Sequence, residues 1–171
     1  ICTANIKNEP GKCVYTHMLN ADGGIETDLT VVCVDKNHFR IISSAATRER
    51  DKFHINKHLP KNIELKDITD DLCVFGLFGP KSRDLLKTLS EDNFENDQFR
   101  FGFAKFITID GVKIWTQRLS YVGELGYELY VNLRDTKKIY ELLIEKGKDF
   151  NLSNCGMHAM DIMRMESGFL H

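Results

Sequence analysis

Residues 15–34, Tyr15-Thr16-His17-Met18-Leu19-Asn20-Ala21-Asp22-Gly23-Gly24-Ile25-Glu26-Thr27-Asp28-Leu29-Thr30-Val31-Val32-Cys33-Val34, decide the fold. Asp22-Gly23 is a tight-turn dipeptide, because both residue types accept the positive φ of a primed hairpin turn. In the strand that follows, residues two apart share a face. Ile25, Thr27, Leu29, Val31 and Cys33 point one way, and Glu26, Asp28, Thr30, Val32 and Val34 point the other. The second face begins acidic and turns apolar, the pattern of a strand that becomes covered on both sides. Asp28 is then expected where a covered face opens. A carboxylate at such a border suits the handling of a cation or a proton. On pattern alone Asp28 reads as a solvated residue near a hairpin end.

Outward from this hairpin, Glu9-Pro10-Gly11 is a turn signal before its first strand. Asp35-Lys36-Asn37 turns the chain into a return strand, Phe39-Arg40-Ile41-Ile42-Ser43. Ala45 to Leu59 reads as a helix, charged through Arg48, Glu49 and Lys52, with Phe53 and Leu59 as apolar contacts. Pro60-Lys61-Asn62 stops it. Ile63 to Ile68 alternates as a half-buried strand, and Leu72 to Phe78 is apolar enough throughout to be a fully buried one. Pro80 is expected as the first residue of a helix to about Leu89, followed by a polar connector from Ser90 to Gln98. A second hairpin turns at Asp110-Gly111 between Phe106-Ile107-Thr108-Ile109 and Val112-Lys113-Ile114-Trp115-Thr116.

Tyr127 to Val131 is a further strand, and Asp135 reads as the N-cap of a helix over Thr136 to Lys146 that buries Ile139, Leu142 and Leu143. The last helix, Gly156 to Ser167, carries methionines that read as core packing. Hairpin, return strand and helix occur in that order twice, in 13–59 and 103–146. The expected fold class is α+β: two α/β plait-like units with largely antiparallel sheets and packed helices. Residues 1–70 form the first unit, with the Asp28 hairpin, and residues 71–171 the second.

At 171 residues the chain is long enough for a real core, and 42% hydrophobic with 28% charged residues is ordinary for a soluble globular protein. A formal net charge of −2 gives no electrostatic case for nucleic acid or an acidic membrane as partner. No apolar run reaches membrane-spanning length, and no signal peptide opens the chain. Five cysteines without a CxxC spacing argue against a disulfide framework or zinc site and fit a reducing compartment. His17, His38, His54, His58 and His171 show no metal-ligand spacing. Ile1 in place of Met, and no tail after Ser167-Gly168-Phe169-Leu170-His171, read as a piece of a longer polypeptide.

The second informative stretch is Leu119-Ser120-Tyr121-Val122-Gly123-Glu124-Leu125-Gly126-Tyr127-Glu128-Leu129-Tyr130-Val131. Two glycines within four residues allow a tight bend, with Tyr121 before it and Glu128 after it. An aromatic ring beside a fixed carboxylate can hold a flat heterocycle: the ring stacks, and the carboxylate accepts two parallel N–H bonds. A pterin has such a guanidine-like edge. The same residues also read as a loop with a core tyrosine and an exposed glutamate.

Met18-Leu19-Asn20, Gly23-Gly24-Ile25 and Asp28-Leu29 together resemble the folate-binding region of aminomethyltransferases, the glycine cleavage T-protein family. Ser-Tyr-Val-Gly-Glu-Leu-Gly-Tyr-Glu-Leu-Tyr at 120–130 resembles the dimethylglycine and sarcosine dehydrogenase branch of that family. Leu77-Phe78-Gly79-Pro80, and Ala159-Met160-Asp161 through Arg164, Glu166 and Gly168, resemble the same branch, and the likeness runs from about Gly11 to the last residue. The resemblance implies an incomplete aminomethyltransferase folate-binding fold with tetrahydrofolate as cofactor. It puts Asp28 at the reacting end of the folate as the catalytic residue and Glu128 on the pterin edge. Tyr15 and Tyr121 become aromatic walls of the folate site.

The activity implied is transfer of a one-carbon unit from an N-methyl amino acid-derived iminium to tetrahydrofolate. A flavin dehydrogenase domain of the same parent polypeptide would hold FAD and make that iminium; no GxGxxG motif occurs in this chain. The piece alone is expected to bind folate at most. The location implied is the cytoplasm, or the mitochondrial matrix in a eukaryote. The alternatives are glycine cleavage itself and a non-catalytic folate-binding relative. Against the family pattern, Thr27 stands where a second acid is frequent, Met160 replaces an arginine, and His158 replaces the dehydrogenases' arginine, which leaves the reader of the folate tail unassigned. Arg164 is expected to pair with Asp161 at i, i+3.

Overall fold

A computed structural model describes residues 1–170, and His171 lies outside them. The described residues form seven strands and four α-helices. They divide into two compact units, the first Ile1–Ile68 and the second beginning at Thr69.

In the first unit, β1 (Cys13–Leu19), β2 (Ile25–Asp35) and β3 (His38–Ser43) form an antiparallel sheet in the order β1-β2-β3. The connection between β1 and β2 is a wider loop than the primed two-residue turn expected of Asp22-Gly23. Gly23 has φ +81°, but Asp22 stays at negative φ. The competing interaction is local: the Asn20 Oδ1 accepts from the backbone N–H groups of Asp22 and Gly24 at 3.0 and 2.8 Å, an Asx arrangement that spreads the turn over Asn20–Gly24.

The face assignment of β2 holds where it matters. Thr27, Leu29, Val31 and Cys33 are buried, and on the opposite face Val32 is also fully buried, so the far half of β2 is covered on both sides. Ile25 departs from this, being 65% exposed beside the loop. Met18, Leu29 and Val31 pack with Ile55 of α1 (Arg48–His58). The helix turns Ile55 rather than Phe53 inward, and Phe53 is exposed. Beyond α1, residues 63–68 form no strand. Their alternation is present, with Leu65 against the core and Asp67 bonded by Arg48 at 2.9 Å, but no neighbouring strand supplies a ladder. Side-chain anchoring to α1 replaces backbone pairing.

The second unit is an antiparallel sheet in the order β4-β7-β6-β5, built from β4 (Leu72–Phe78), β5 (Ala104–Ile109), β6 (Val112–Gln117) and β7 (Gly126–Asn132). Here the Asp-Gly rule works: Asp110 and Gly111 have φ +46° and +76° and join Ile109 directly to Val112. The order of three strands and a helix recurs as β5-β6-β7-α3 against β1-β2-β3-α1. Tyr127, Leu129 and Val131 form one buried face with Leu85 and Leu86 of α2 (Ser82–Leu89) and Ile139 and Leu143 of α3 (Thr136–Gly147).

Several local expectations shift. β4 is an edge strand with Val74 half exposed, because continuous apolarity does not distinguish an edge from a centre. Pro80 sits in the turn before α2, two residues ahead of its start. The polar connector hides Phe94 completely. Asp135 occupies the N-cap position of α3 but its carboxylate takes Arg134 instead of a backbone N–H. In α4 (Met157–Glu166) no residue is fully buried, and Met157 and Met165 are exposed, so its methionines are not core.

Candidate functional site

In the first unit the register of β1 on β2 places Tyr15 opposite Thr30 and His17 opposite Asp28. Opposed residues share a face, so Tyr15, His17 and Asp28 stand together on one side of the sheet. The Tyr15 hydroxyl donates to Asp28 Oδ2 at 2.9 Å, along the diagonal of the ladder. Its ring meets His17 edge-on, with centroids 5.6 Å apart. Tyr15 therefore engages Asp28 by its hydroxyl, not only as an aromatic surface. Asp28 is exposed, and the dry border expected around it is not found on its strand. The reason is that Glu26, Tyr15 and His17 surround it, while the covered part of that face begins only at Val32.

The chain just before Asp28 is held at two residues, Glu26 and Thr27. Thr27 Oγ1 donates to Asp51 Oδ2 at 3.2 Å, and Thr47 Oγ1 donates to the same oxygen at 2.7 Å. Asp51 is 3% exposed, a carboxylate inside the unit. Arg50 lies 3.6 Å from its other oxygen and donates through Nη2 to the Glu26 carbonyl. The residues flanking Asp28 on its N-terminal side are thus tied to α1. Sequence reading missed Asp51, since a bond across 24 positions leaves no periodic trace.

In the second unit, the bend before β7 uses Gly123 at φ +73°, where a side chain would collide with Ser167. Ser167 Oγ donates to the Val122 carbonyl at 2.8 Å, fixing the bend to the end of α4. Tyr121 is half-buried in that bend and Glu128 follows in β7; among the described residues no hydrogen bond or ring contact joins the two. The aromatic neighbours on the sheet face of Glu128 are instead Tyr130, two residues on, and Trp115, opposite Tyr130 on β6. Tyr130 donates its hydroxyl to Glu128 Oε2 at 2.7 Å. Gly76 of β4 and Gln117 of β6 lie opposite Glu128. Gln117 is fully buried, and the Phe78 ring fills the space beside Gly76, its Cε2 lying 2.6 Å from where a Cβ on that glycine would stand.

Burial pushes the Glu128 carboxyl above the usual carboxylate range, and the Tyr130 hydrogen bond pulls against that rise. Among the described residues no cation offsets that rise. A largely buried carboxylate with one hydroxyl donor has acceptor capacity left for N–H groups of a ligand, so this side chain fits the amino edge of a pterin. Period two along β7 was the available signal for Tyr130, because residues two apart share a face.

Of the remaining residues singled out, Arg164 pairs with Asp161 at 3.1 Å as expected. His158 is exposed and Met160 half-buried on α4. Among the described residues no group of three His, Cys, Asp or Glu side chains could hold a metal ion, and no helix is long and apolar enough to cross a membrane.

Comparison with known proteins finds a match of residues 1–171 to the family model described as the GCVT N-terminal domain. A 4-methylaminobutanoate oxidase (formaldehyde-forming) of Paenarthrobacter nicotinovorans is 34% identical over 99% of the chain and 21% of that protein. The mitochondrial dimethylglycine dehydrogenase of Homo sapiens is 31% identical over 97% of the chain and 20% of its own length. An aminomethyltransferase of Natranaerobius thermophilus is 31% identical over 92% of the chain and 43% of its length. The chain thus spans between a fifth and somewhat under half of these relatives. The crystal structure of glycine cleavage system aminomethyltransferase T from Bartonella henselae matches 97% of the chain and 43% of that chain with a TM-score of 0.78 at 20% identity, a likeness of fold.

Proposed function

The chain belongs to the GCVT N-terminal domain family, and from that premise we propose that it is the tetrahydrofolate-binding part of a dimethylglycine or sarcosine dehydrogenase-like protein. Its reaction is transfer of a one-carbon unit from an N-methyl amino acid-derived iminium to tetrahydrofolate, giving methylene-tetrahydrofolate and releasing the demethylated amino acid as the amine. The observation that carries this reading is Glu128, a largely buried carboxylate to which, among the described residues, a single hydroxyl donates. Tetrahydrofolate supplies the nucleophilic nitrogen. Glu128 accepts the N–H donors of the pterin edge, and Tyr121 flanks the ring system.

Asp28 holds the positive charge of the incoming carbon fragment and takes the proton released from the folate nitrogen. Tyr15, bonded to one Asp28 oxygen, fixes the carboxylate's orientation. General-base help of this kind is worth roughly a hundred- to ten-thousandfold. We assign the oxidation that makes the iminium, and its FAD, to a flavin domain of the same parent polypeptide, and place the reaction in the cytoplasm or mitochondrial matrix. The 34% and 31% identities to an oxidase and a dehydrogenase support that branch. Glycine cleavage is the second reading, favoured by the 31% identity to an aminomethyltransferase; it takes an aminomethyl group from a lipoyl arm and releases ammonia.

The test supplies enzymatically generated iminium, or an aminomethyl-lipoyl donor, and follows methylene-tetrahydrofolate with the parent chain and with Asp28→Asn. Turnover of the iminium alone, lost in Asp28→Asn with tetrahydrofolate binding retained, supports the dehydrogenase branch. Turnover of the lipoyl donor favours the second reading. Transfer by Asp28→Asn at the parental rate removes Asp28 from the mechanism.

A further inference from the structure

Glu128 carries one neighbour whose role the folate reading leaves open. Tyr130 is 6% exposed and stands on the same face of β7, with its hydroxyl 2.7 Å from Glu128 Oε2. The bond is short, as expected when an O–H donates to an ionised oxygen. The pair's neighbours on that face within the sheet are Val74, Gly76 and Phe78 from β4 and Trp115 and Gln117 from β6, none of which titrates at ordinary pH. Lys113, farther along β6, has its ammonium over the Phe106 ring at 4.4 Å. The hydrogen bond that reaches the carboxylate from this sheet is the one from the Tyr130 hydroxyl.

We propose that Tyr130 is a positioning residue for Glu128: its hydroxyl pins one carboxylate oxygen, so that the group meets a ligand in a fixed plane and selects ligands presenting two adjacent N–H donors. The inference rests on the folate reading of Glu128 and deepens it. A carboxylate turns readily about its last side-chain torsion, which is broad and nearly two-fold. Bidentate recognition needs that torsion fixed before the ligand arrives, because ordering it on binding costs affinity. The pinned oxygen keeps a second lone pair for the ligand, so the tyrosine bond and a two-pronged ligand contact are compatible. The same hydrogen bond favours the ionised form that such a ligand requires.

The experiment is calorimetric titration of tetrahydrofolate into the chain and into Tyr130→Phe, Glu128→Gln and the double variant, between pH 5.5 and 8. Loss of one charge-assisted hydrogen bond is expected to raise the Tyr130→Phe Kd by about tenfold at neutral pH. The acid limb of binding should move to higher pH, which a merely structural role would not cause. In the Glu128→Gln background the tyrosine change should alter Kd by less than about twofold, since an amide cannot accept both ligand N–H donors however the hydroxyl holds it. Circular dichroism monitors folding. Should Tyr130→Phe fail to fold, Glu128→Asp, which withdraws the carboxylate from the hydroxyl, must show the same weakening. A Tyr130→Phe protein with parental Kd and pH profile overturns the inference while leaving the folate reading intact. Failure of the parent chain to bind tetrahydrofolate, or parental binding by Glu128→Gln, overturns both.

Discussion

Replacing Glu128 by Gln should stabilise the protein at neutral pH while weakening its affinity for a pterin. The Glu128 carboxyl is raised by burial, against the pull of the Tyr130 bond. A group whose folded pKa lies above its unfolded value contributes stability that is fully present below the unfolded pKa and is lost as pH rises through the folded one. At neutral pH the ionised Glu128 is therefore a net cost to folding. Glutamine has nearly the same shape, carries no charge and still accepts from Tyr130. The gain is on the order of 1 kcal/mol, or about 2–4 °C in Tm for a chain of this size. In the opposite direction, losing a charge-assisted contact of about 2–3 kcal/mol weakens tetrahydrofolate binding by roughly 30- to 150-fold. The assay is thermal melting followed by the emission of Trp115, the sole tryptophan, which is buried in the second unit. Scanned from pH 4 to 8, the two proteins should melt together at the acid end and diverge as pH rises. A Glu128→Gln protein that melts below the parent at pH 8 would show that the carboxylate stabilises the fold, and the reasoning would be wrong.

Thr27→Val keeps the shape of a buried side chain but removes the donor to Asp51, so about 1–2 kcal/mol of stability should be lost in urea unfolding. Asp51→Ala leaves the hydroxyls of Thr27 and Thr47 without that acceptor and should cost about 2–4 kcal/mol, measured the same way. Tyr15→Phe removes the hydroxyl from Asp28 at an exposed position; stability should change by less than about 1 kcal/mol, while one-carbon transfer falls roughly tenfold in a steady-state assay. Phe94→Ala empties a fully buried position between the Phe99 and Tyr127 rings and should cost about 3–5 kcal/mol by calorimetry.

The two Asp-Gly dipeptides show how far the sequence carries. Asp110-Gly111 forms the primed turn its residue types dictate, whereas at Asp22-Gly23 the nearby Asn20 amide captures two backbone N–H groups and widens the loop. A local rule holds until a local competitor appears. Periodicity found the buried face of β2, because Leu29, Val31 and Cys33 alternate without interruption. It failed for α1, where Phe53 and Ile55 are both apolar and only the position of the sheet decides that Ile55 faces in. It also failed for residues 63–68, since a strand needs a partner that the segment does not itself encode.

The site divides along the same line. Short motifs single out Asp28, Glu128, Tyr15 and Tyr121 as candidates, but only the register sets the Tyr15 hydroxyl diagonal to Asp28. Tyr130 was within reach of strand periodicity alone. Asp51 was not, because its bond to Thr27 joins a helix to a strand across a gap that no pattern spans.

The most direct measurement compares the Kd of tetrahydrofolate with that of its 2-desamino analogue, using Trp115 emission in the parent chain. Removing the exocyclic amine deletes one of the two donors assigned to Glu128. The account predicts single-site binding of tetrahydrofolate and at least about tenfold weaker binding of the analogue. Equal affinity for the two ligands, or no binding of tetrahydrofolate, would contradict it.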